Sequence, residues 1–239
     1  MSKNKQMHSH PAVVDPHRLT TGPISLTQGV YGERGNLELV ACDADDGLWV
    51  FWFNSDLETD TAETTDVAPG HWSDGLHFGR GERYVDAQIL QSTLGPNHLE
   101  VLALADSGVL QSWYWSPGPG FQRRRDDAAI EVVRFGVEHH DGTLRLTVEQ
   151  REGSIRRLRS TTTRYPDRGW AHASDGPELP DDSAARRLLE TAGLVLDDVA
   201  AGTARMAPST RDGGTTELTW RDRAGFIRHL GVPSATSAG

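Results

Sequence analysis

Charged side chains recur at matching positions along this chain. Glu38, Glu100 and Glu217 occupy the same place in a repeated stretch of sequence, and Arg145 takes that place in a further copy. If each stretch folds as a hairpin in which residues such as Leu39 and Leu48 pair, the residues opposite are Trp49, Gln111, Arg156 and Arg228. Opposite charges on paired strands stabilise the pairing by about 0.2–1 kcal/mol. The pattern therefore predicts a cross-strand ion pair between Glu217 and Arg228.

Four tryptophans form the densest aromatic cluster of the sequence: Trp49, Trp52, Trp113 and Trp115. Trp113 occupies a repeated apolar position, which is typical of a buried core residue. Trp115 lies beyond that position, next to Ser116, and we expect it to be more exposed. Large aromatic side chains at the surface often mark an interaction site.

These side chains are carried by an apolar frame that occurs four times. The frame begins with two aliphatic positions that are two residues apart. A third apolar position follows the second after nine residues, and a fourth follows the third after three residues. Only Thr216 departs from the apolar pattern. The copies are Leu37, Leu39, Leu48 and Phe51; Leu99, Val101, Leu110 and Trp113; Leu144, Leu146, Ile155 and Leu158; and Thr216, Leu218, Ile227 and Leu230. Repetition of this kind indicates one structural unit per copy.

The sequence predicts that each unit is an antiparallel sheet. The gap inside each frame contains turn residues with a glycine, at Gly47, Gly108, Gly153 and Gly225. Alternating apolar residues before such a turn and a β-branched or aromatic run after it are typical of a hairpin. A further strand precedes the hairpins. The sequence predicts an all-β fold, a β-propeller-like array of four antiparallel sheet units, or blades. An irregular β-sandwich or barrel built from the same hairpins is the alternative.

The chain divides into one predicted domain and two tails. Residues 22–232 form the propeller-like domain, and we expect disorder over 1–21 and 233–239. Residues 54–69 are acidic and Thr-rich and predict a surface loop. Residues 181–193 predict a short helix, with an aspartate cap at its start and Gly193 at its end. Either the two ends complete one blade between them, or two chains combine as a homodimer to complete a ring.

Composition excludes several classes of function. The 239 residues carry a formal net charge of −10, which argues against general nucleic-acid binding. No apolar run approaches the roughly 18 residues of a membrane span, and we expect no membrane association. Cys42 is the only cysteine and no signal peptide is visible, so a cytoplasmic location is the expectation.

Motifs for catalysis or metal binding are absent from the sequence. It contains no Cys-x-x-Cys or His-Glu-x-x-His spacing, no Gly-x-Ser-x-Gly and no glycine-rich phosphate loop. The adjacent His139 and His140 are expected to point to opposite sides of a strand. We therefore expect no metal and no cofactor, and the sequence identifies no catalytic residue.

The repeated unit resembles the blade of tandem-repeat β-propeller lectins, both the fungal fucose-binding type and the bacterial type. Their blades contain a strand such as Leu37-Glu38-Leu39-Val40, a turn and strand such as Asp46-Gly47-Leu48-Trp49, and an outer segment such as Gly70-His71-Trp72. The second copy fits as well, with Leu99-Glu100-Val101-Leu102 and Ser107-Gly108-Val109-Leu110. The resemblance covers roughly residues 22–232.

This resemblance implies a function. In those lectins a sugar sits between neighbouring blades, on an aromatic platform and beside an arginine and a glutamate. It implies a non-catalytic module that binds a carbohydrate or a similar polar ligand between blades. The ligand-binding residues that it implies are Trp49, Trp115, Glu100, Arg156, Glu217 and Arg228.

Two other functions are compatible with the same fold. An enzyme on a propeller scaffold would have a single pocket lined by histidine and arginine. A protein–protein interaction scaffold would use the faces of the blades, the acidic loop or the helix. The binding module differs from both because its pockets are expected to recur at related positions.

Overall fold

The computed structural model of the chain describes residues 11–60, 66–161 and 169–234. In these ranges, one α-helix (α1, Ser183–Thr191) accompanies the strands, together with 3-10 turns at Leu196–Asp198 and Arg211–Gly213. The strands are β1 (Ala12–Val13), β2 (Thr20–Gln28), β3 (Leu37–Asp43), β4 (Leu48–Phe53), β5 (Leu76–Phe78), β6 (Tyr84–Gln91), β7 (Leu99–Ala105), β8 (Leu110–Ser116), β9 (Gly120–Arg123), β10 (Val132–His140), β11 (Thr143–Gln150), β12 (Ile155–Ser160), β13 (Trp170–His172), β14 (Arg205–Ser209), β15 (Thr215–Arg221) and β16 (Ile227–Pro233).

The described strands form four antiparallel sheets of four strands each. The first blade has the order β2-β3-β4-β5, the second β6-β7-β8-β9, and the third β10-β11-β12-β13. The fourth blade has the order β14-β15-β16-β1. Each predicted repeat is therefore one blade, and the predicted all-β, propeller-like array of four units is confirmed.

The N-terminal strand β1 completes the fourth blade. Ala12 lies opposite His229 of β16, and the backbone N–H of Val14 donates to the carbonyl of Ile227 at 3.0 Å. The Val14 side chain is buried. The prediction of disorder over 1–21 is therefore wrong for residues 11–21, while residues 1–10 lie outside the described chain. Of the two predicted ways to complete the array, the structure has the first, in which the chain ends close one blade.

The C-terminal end is also more ordered than predicted. Pro233, the first residue of the predicted disordered tail, is the last residue of β16. The backbone N–H of Ser234 donates to the carbonyl of Gly214 at 2.9 Å. Residues 235–239 lie outside the described chain.

Apolar cores fill the spaces between neighbouring blades. The first strands of the blades contact one another, with β2 against β6 and β14, and β6 against β10. One core joins the first and second blades through residues such as Val40, Val50 and Val101, which are at most 2% exposed. A second core joins the second and third blades around Leu102 and Phe135. A blade can bury both faces only by stacking in this way, so packing between blades stabilises the array.

The segment between β13 and β14, residues 173–204, is an insertion that bridges the third and fourth blades. The Arg134 guanidinium donates to the carbonyl of Pro180 at 3.2 Å, and the predicted helix is present as α1. Its buried residues Ala185 and Leu189 pack against Leu218 of the fourth blade. In the part of the chain that is described, no helix is long and apolar enough to cross a membrane.

The segment between β4 and β5 contains the predicted loop of residues 54–69, of which 61–65 lie outside the described chain. The side-chain amide of Asn54 donates to the carbonyl of Val67 at 2.8 Å, and Asn54 and Asp56 are buried. The start of this loop is thus anchored on the blade, while Leu57, Glu58 and Thr59 are exposed, as expected of a surface loop.

The pairing of the hairpins differs from the sequence prediction by three residues. Leu39 pairs with Phe51, not with Leu48, and Glu217 pairs with Gly231, not with Arg228. Residues between Leu39 and the turn are buried and apolar, so their backbone groups require ladder partners, and β3 continues to Asp43. Because the shift is odd, every residue that was predicted to face a given glutamate lies on the other face of its blade.

Candidate functional site

A cavity of about 300 Å³ lies between the first and second blades. It has aromatic walls and polar groups from both blades. The residues that line it are Tyr31, Asn36, Glu38, Val50, Trp52, Asp66, Leu76, Asn97, Leu99, Trp115 and Phe121. Ligand sites are typically concave, largely apolar and of about 300–1,000 Å³, with a few polar groups that orient the ligand. This cavity has that character at the small end of the range.

The first blade supplies a glutamate and a tryptophan that are direct cross-strand neighbours. Glu38 of β3 lies opposite Trp52 of β4, so both side chains project from the same face towards the second blade. The backbone of Trp52 is fixed by Ser73, whose hydroxyl accepts from the Trp52 N–H at 3.0 Å. The strand pairing thus places a carboxyl group beside an indole.

The second blade supplies an aromatic ladder. Leu99, Trp115 and Phe121 are consecutive partners across β7, β8 and β9. The Trp115 and Phe121 rings are 5.3 Å apart between centroids and tilted by 57°. The indole N–H of Trp115 donates to the side-chain oxygen of Asn97 at 3.0 Å, which fixes the orientation of the ring. Trp115 therefore presents a held, half-buried aromatic face.

Two buried polar side chains of the cavity have unused hydrogen-bonding groups. Glu38 is 7% exposed, and no described residue forms a hydrogen bond or an ion pair with its carboxyl group. Asn36 is 2% exposed, and its Oδ1 atom has no partner among the described residues. Burial raises the pKa of Glu38 to about 8. Buried polar groups are rarely left unpartnered, so these two are available to a ligand.

The corresponding glutamate of the second blade is neutralised within the protein. Glu100 Oε2 lies 3.3 Å from the Nη2 atom of Arg124, and each side chain is at most 2% exposed. The Arg124 guanidinium also lies over the Tyr114 ring, 5.1 Å from its centroid. The Glu100 carboxylate is therefore paired with Arg124 inside the protein.

The corresponding glutamate of the fourth blade has several partners. Glu217 lies 3.2 Å from Arg211 Nη1 and 2.8 Å from His229 Nε2, and it accepts from the Ser209 hydroxyl at 2.6 Å. Burial alone would raise the pKa of Glu217, but the hydrogen bonds from His229 and Ser209 outweigh burial and hold it below the usual value. A second cavity of about 390 Å³ at the junction of the fourth and first blades is lined by Arg211 and Phe53, among others.

Cavities therefore lie at two junctions between blades. Phe53 holds in the first repeat the position that Trp115 holds in the second, and Glu217 corresponds to Glu38. Phe53 lines the second cavity, as Trp115 lines the first, whereas Glu217 does not line the second cavity.

Of the residues that the lectin resemblance implied, Trp115 lines the cavity between the first and second blades. The others lie elsewhere. Trp49 stacks on His77 with 4.5 Å between ring centroids, and its indole N–H donates to Asp43 at 2.6 Å. Arg156 is exposed on β12. Glu100 and Glu217 are buried with the partners described above. Whether these residues contact a ligand stays a prediction.

The predicted ion pair between Glu217 and Arg228 is wrong. Arg228 Nη2 lies 2.6 Å from Asp222, at the turn between β15 and β16. Arg228 pairs across the strands with Trp220, on the face opposite to Glu217. The odd shift in strand pairing accounts for the difference.

Sequence reasoning did not identify several residues of the cavity, notably Asn36, Trp52, Asn97 and Phe121. The correct pairing of Glu38 with Trp52 would have identified one of them, since the two positions are fixed by a single hairpin. Asn36 and Asn97 stand at the strand starts, two and three residues before the glutamates, Glu38 and Glu100. No sequence signal distinguishes them from other turn residues.

Metal-ligating side chains are not clustered in the described part of the chain. No group of three His, Cys, Asp or Glu side chains there is placed to hold an ion. His139 Nε2 lies 2.6 Å from the carbonyl of Gln91, whereas His140 lies near Asp141. The two imidazoles thus have separate partners.

The fold and the cavity define a β-propeller-like protein with ligand-sized spaces between its blades. Comparison with solved structures finds similarity to the BP39L lectin of Burkholderia pseudomallei, at 13% identity and a TM-score of 0.46, over 95% of this chain and 57% of that one. AofleA of Arthrobotrys oligospora is similar at 10% identity and a TM-score of 0.43, over 95% and 58%.

The Aleuria aurantia lectin is also similar. A mutant of it in complex with alpha-methyl-L-fucoside gives 12% identity and a TM-score of 0.44, over 91% of this chain and 80% of that chain. The neighbours thus include lectins of the bacterial and fungal types that the sequence motifs resemble. The chain spans less than two thirds of the length of the first two structures. No family model matches the chain, and no curated protein sequence matches it.

Proposed function

We propose that this chain is a non-catalytic ligand-binding propeller module that takes a carbohydrate or similar polar ligand in the cavity between its first and second blades. The observation that carries the proposal is the combination of unpartnered buried polar groups, on Glu38 and Asn36, with the aromatic faces of Trp52 and Trp115. A sugar ring has an apolar C–H face that packs on an indole and hydroxyl groups that pair with carboxyl and amide groups.

The size of the cavity supports a small ligand. About 300 Å³ is at the lower limit of typical ligand sites, which suits a single sugar ring or a molecule of similar size. The second cavity, beside Arg211 and Phe53, supports the expectation that pockets recur between blades. An enzymatic role and a protein scaffold stay predictions, since no observation favours either.

The experiment that tests this function pairs a glycan array with titration calorimetry on the full chain. We expect a monosaccharide or its glycoside to bind, and Trp115→Ala to weaken that binding by at least about tenfold because the aromatic platform is lost. Trp170→Ala is the control, because Trp170 lies on β13 of the third blade and does not line this cavity, and it should leave affinity unchanged.

Thermal unfolding of both variants checks that each one folds. If no sugar bound at any junction between blades, the proposed function would be wrong. Equal losses from the two tryptophan variants would place the ligand elsewhere.

A further inference from the structure

Glu38 differs from its counterparts in the repeat by having no positive partner. Glu100 has the Arg124 guanidinium at 3.3 Å, and Glu217 has that of Arg211 at 3.2 Å. No described residue supplies a cation to Glu38 at the same position of the first blade. Of the three glutamates at this position of the repeat, Glu100 and Glu217 have an arginine partner, whereas Glu38 lines a cavity.

The charge of the cavity is one-sided. Glu38 and Asp66 contribute carboxyl groups, Asp66 from the exposed rim, and Tyr31 is the other ionisable side chain that lines it. None of the described residues around the cavity is a lysine, arginine or histidine. An anionic ligand would meet only like charge here, whereas a cation would be attracted.

The aromatic walls favour the same kind of ligand. Tyr31, Trp52, Trp115 and Phe121 border the cavity that holds the carboxyl group. The face of an aromatic ring attracts an ammonium group within about 6 Å of its centroid, and tryptophan does so most strongly. A carboxylate together with aromatic rings of this kind is suited to binding an amine or a quaternary ammonium group.

We propose that the cavity binds its ligand through an ammonium group, which takes at Glu38 the place that arginine takes at the two corresponding glutamates. The inference rests on the proposed function, because it assigns a ligand class, amino sugars and small amines with an apolar face, to the same cavity. The Glu38 carboxyl ionises when the ammonium binds, and its proton passes to solvent.

The test uses two matched pairs of probes that differ in charge but hardly in shape. Choline is compared with 3,3-dimethyl-1-butanol, and D-glucosamine with D-glucose, by titration calorimetry on the full chain. We expect the charged member of each pair to bind at least about tenfold more tightly. Glu38→Gln should abolish that preference, and Glu152→Gln, an exposed turn residue, should retain it.

A second readout follows the proton and needs no variant. Since burial raises the pKa of Glu38 to about 8, its carboxyl is mostly protonated at pH 7 in the free protein. Choline binding at pH 7 should release about one proton, measured in buffers of different ionisation enthalpy, and choline affinity should rise between pH 6 and pH 8. Choline itself does not titrate in this range, so the pH profile reports the protein.

The outcomes separate this inference from the proposed function. Binding of neutral sugars in the cavity without any preference for ammonium would overturn the inference and leave the proposed function standing. Binding of choline with loss in Glu38→Gln, but no binding of any sugar, would support the inference and overturn the carbohydrate function. A flat pH profile with no proton release would contradict the role of Glu38.

Discussion

At the scale of single residues, Glu38 combines burial with the absence of a partner among the residues that the structure describes. Removing a carboxylate from water is unfavourable, so burial raises the pKa of Glu38 from its usual 4.5 to about 8. The folded state therefore binds a proton more tightly than the unfolded state does. The contribution of Glu38 to the free energy of unfolding is therefore most favourable below about pH 4.5. It falls as the pH rises from 4.5 to about 8, and it is least favourable above about pH 8.

This linkage predicts the effect of Glu38→Gln on stability. The variant has no charge to bury, so its free energy of unfolding should exceed that of the natural chain by about 2–4 kcal/mol at pH 8.5 and hardly at all at pH 5. Urea unfolding at several pH values measures the difference. Glu152→Gln, at an exposed position, should show no such trend. A gain that is equal at all pH values would mean that Glu38 titrates normally.

At the scale of elements, β1 is short but occupies the outer position of the fourth blade. The adjacent valines of this segment have different surroundings. Val14 is 5% exposed and packs in a core with Ile24, Leu39 and Phe51, whereas Val13 is 37% exposed. Residues 12–14 therefore stabilise the fourth blade through one buried side chain, that of Val14, and through backbone pairing with β16.

Substitution of the two valines tests that position. Val14→Asp places an unpaired charge in an apolar core and should lower the free energy of unfolding by more than about 3 kcal/mol. Val13→Asp makes the same chemical change at an exposed position, where the loss should stay below about 1 kcal/mol. Urea unfolding of both variants provides the comparison. Similar losses would show that β1 does not pack as the fourth strand of this blade.

The apolar frame predicted the elements well because burial in each blade repeats. Leu37, Leu39 and Leu48 are fully buried and most of their equivalents are buried, while Thr216 is only half-buried and Ile155 is 45% exposed. The helix was also predicted, and Gly193 follows its end at φ +87°, but Asp182 at its start forms no side-chain capping hydrogen bond and accepts instead from the Gly202 N–H. The apolar positions and the helix could be predicted because each depends on residues that lie close together in the sequence.

The candidate site was harder to predict because it depends on distances that the sequence does not contain. The pairing of Glu38 with Trp52 requires the exact length of one turn, and an error of three residues moved the expected partners to the wrong face. The cavity also requires the approach of Trp115, which lies on another blade. Trp115 was identified from its place beyond the frame, but Asn36 became a candidate only when the two blades were seen together.

At the scale of the whole molecule, the unequal spacing of the repeats has a structural explanation. The longest interval separates the third and fourth repeats, and the insertion there bridges two blades whose facing surfaces differ. The third blade presents polar residues such as Arg145 and Thr147, and Gly176 of the insertion approaches Thr147 closely. On the fourth blade, α1 covers the apolar Leu218. The insertion thus joins a polar face to an apolar one.

Closure of the fourth blade by β1 of the same chain leads to a prediction about assembly. A homodimer was one of two ways to complete the array, but each described blade already has four strands from one chain. We therefore expect a monomer of 26.2 kDa by light scattering after gel filtration, at all concentrations tested. Twice that mass would contradict this, and dissociation of such a dimer by Val14→Asp, but not by Val13→Asp, would show that β1 is exchanged between two chains.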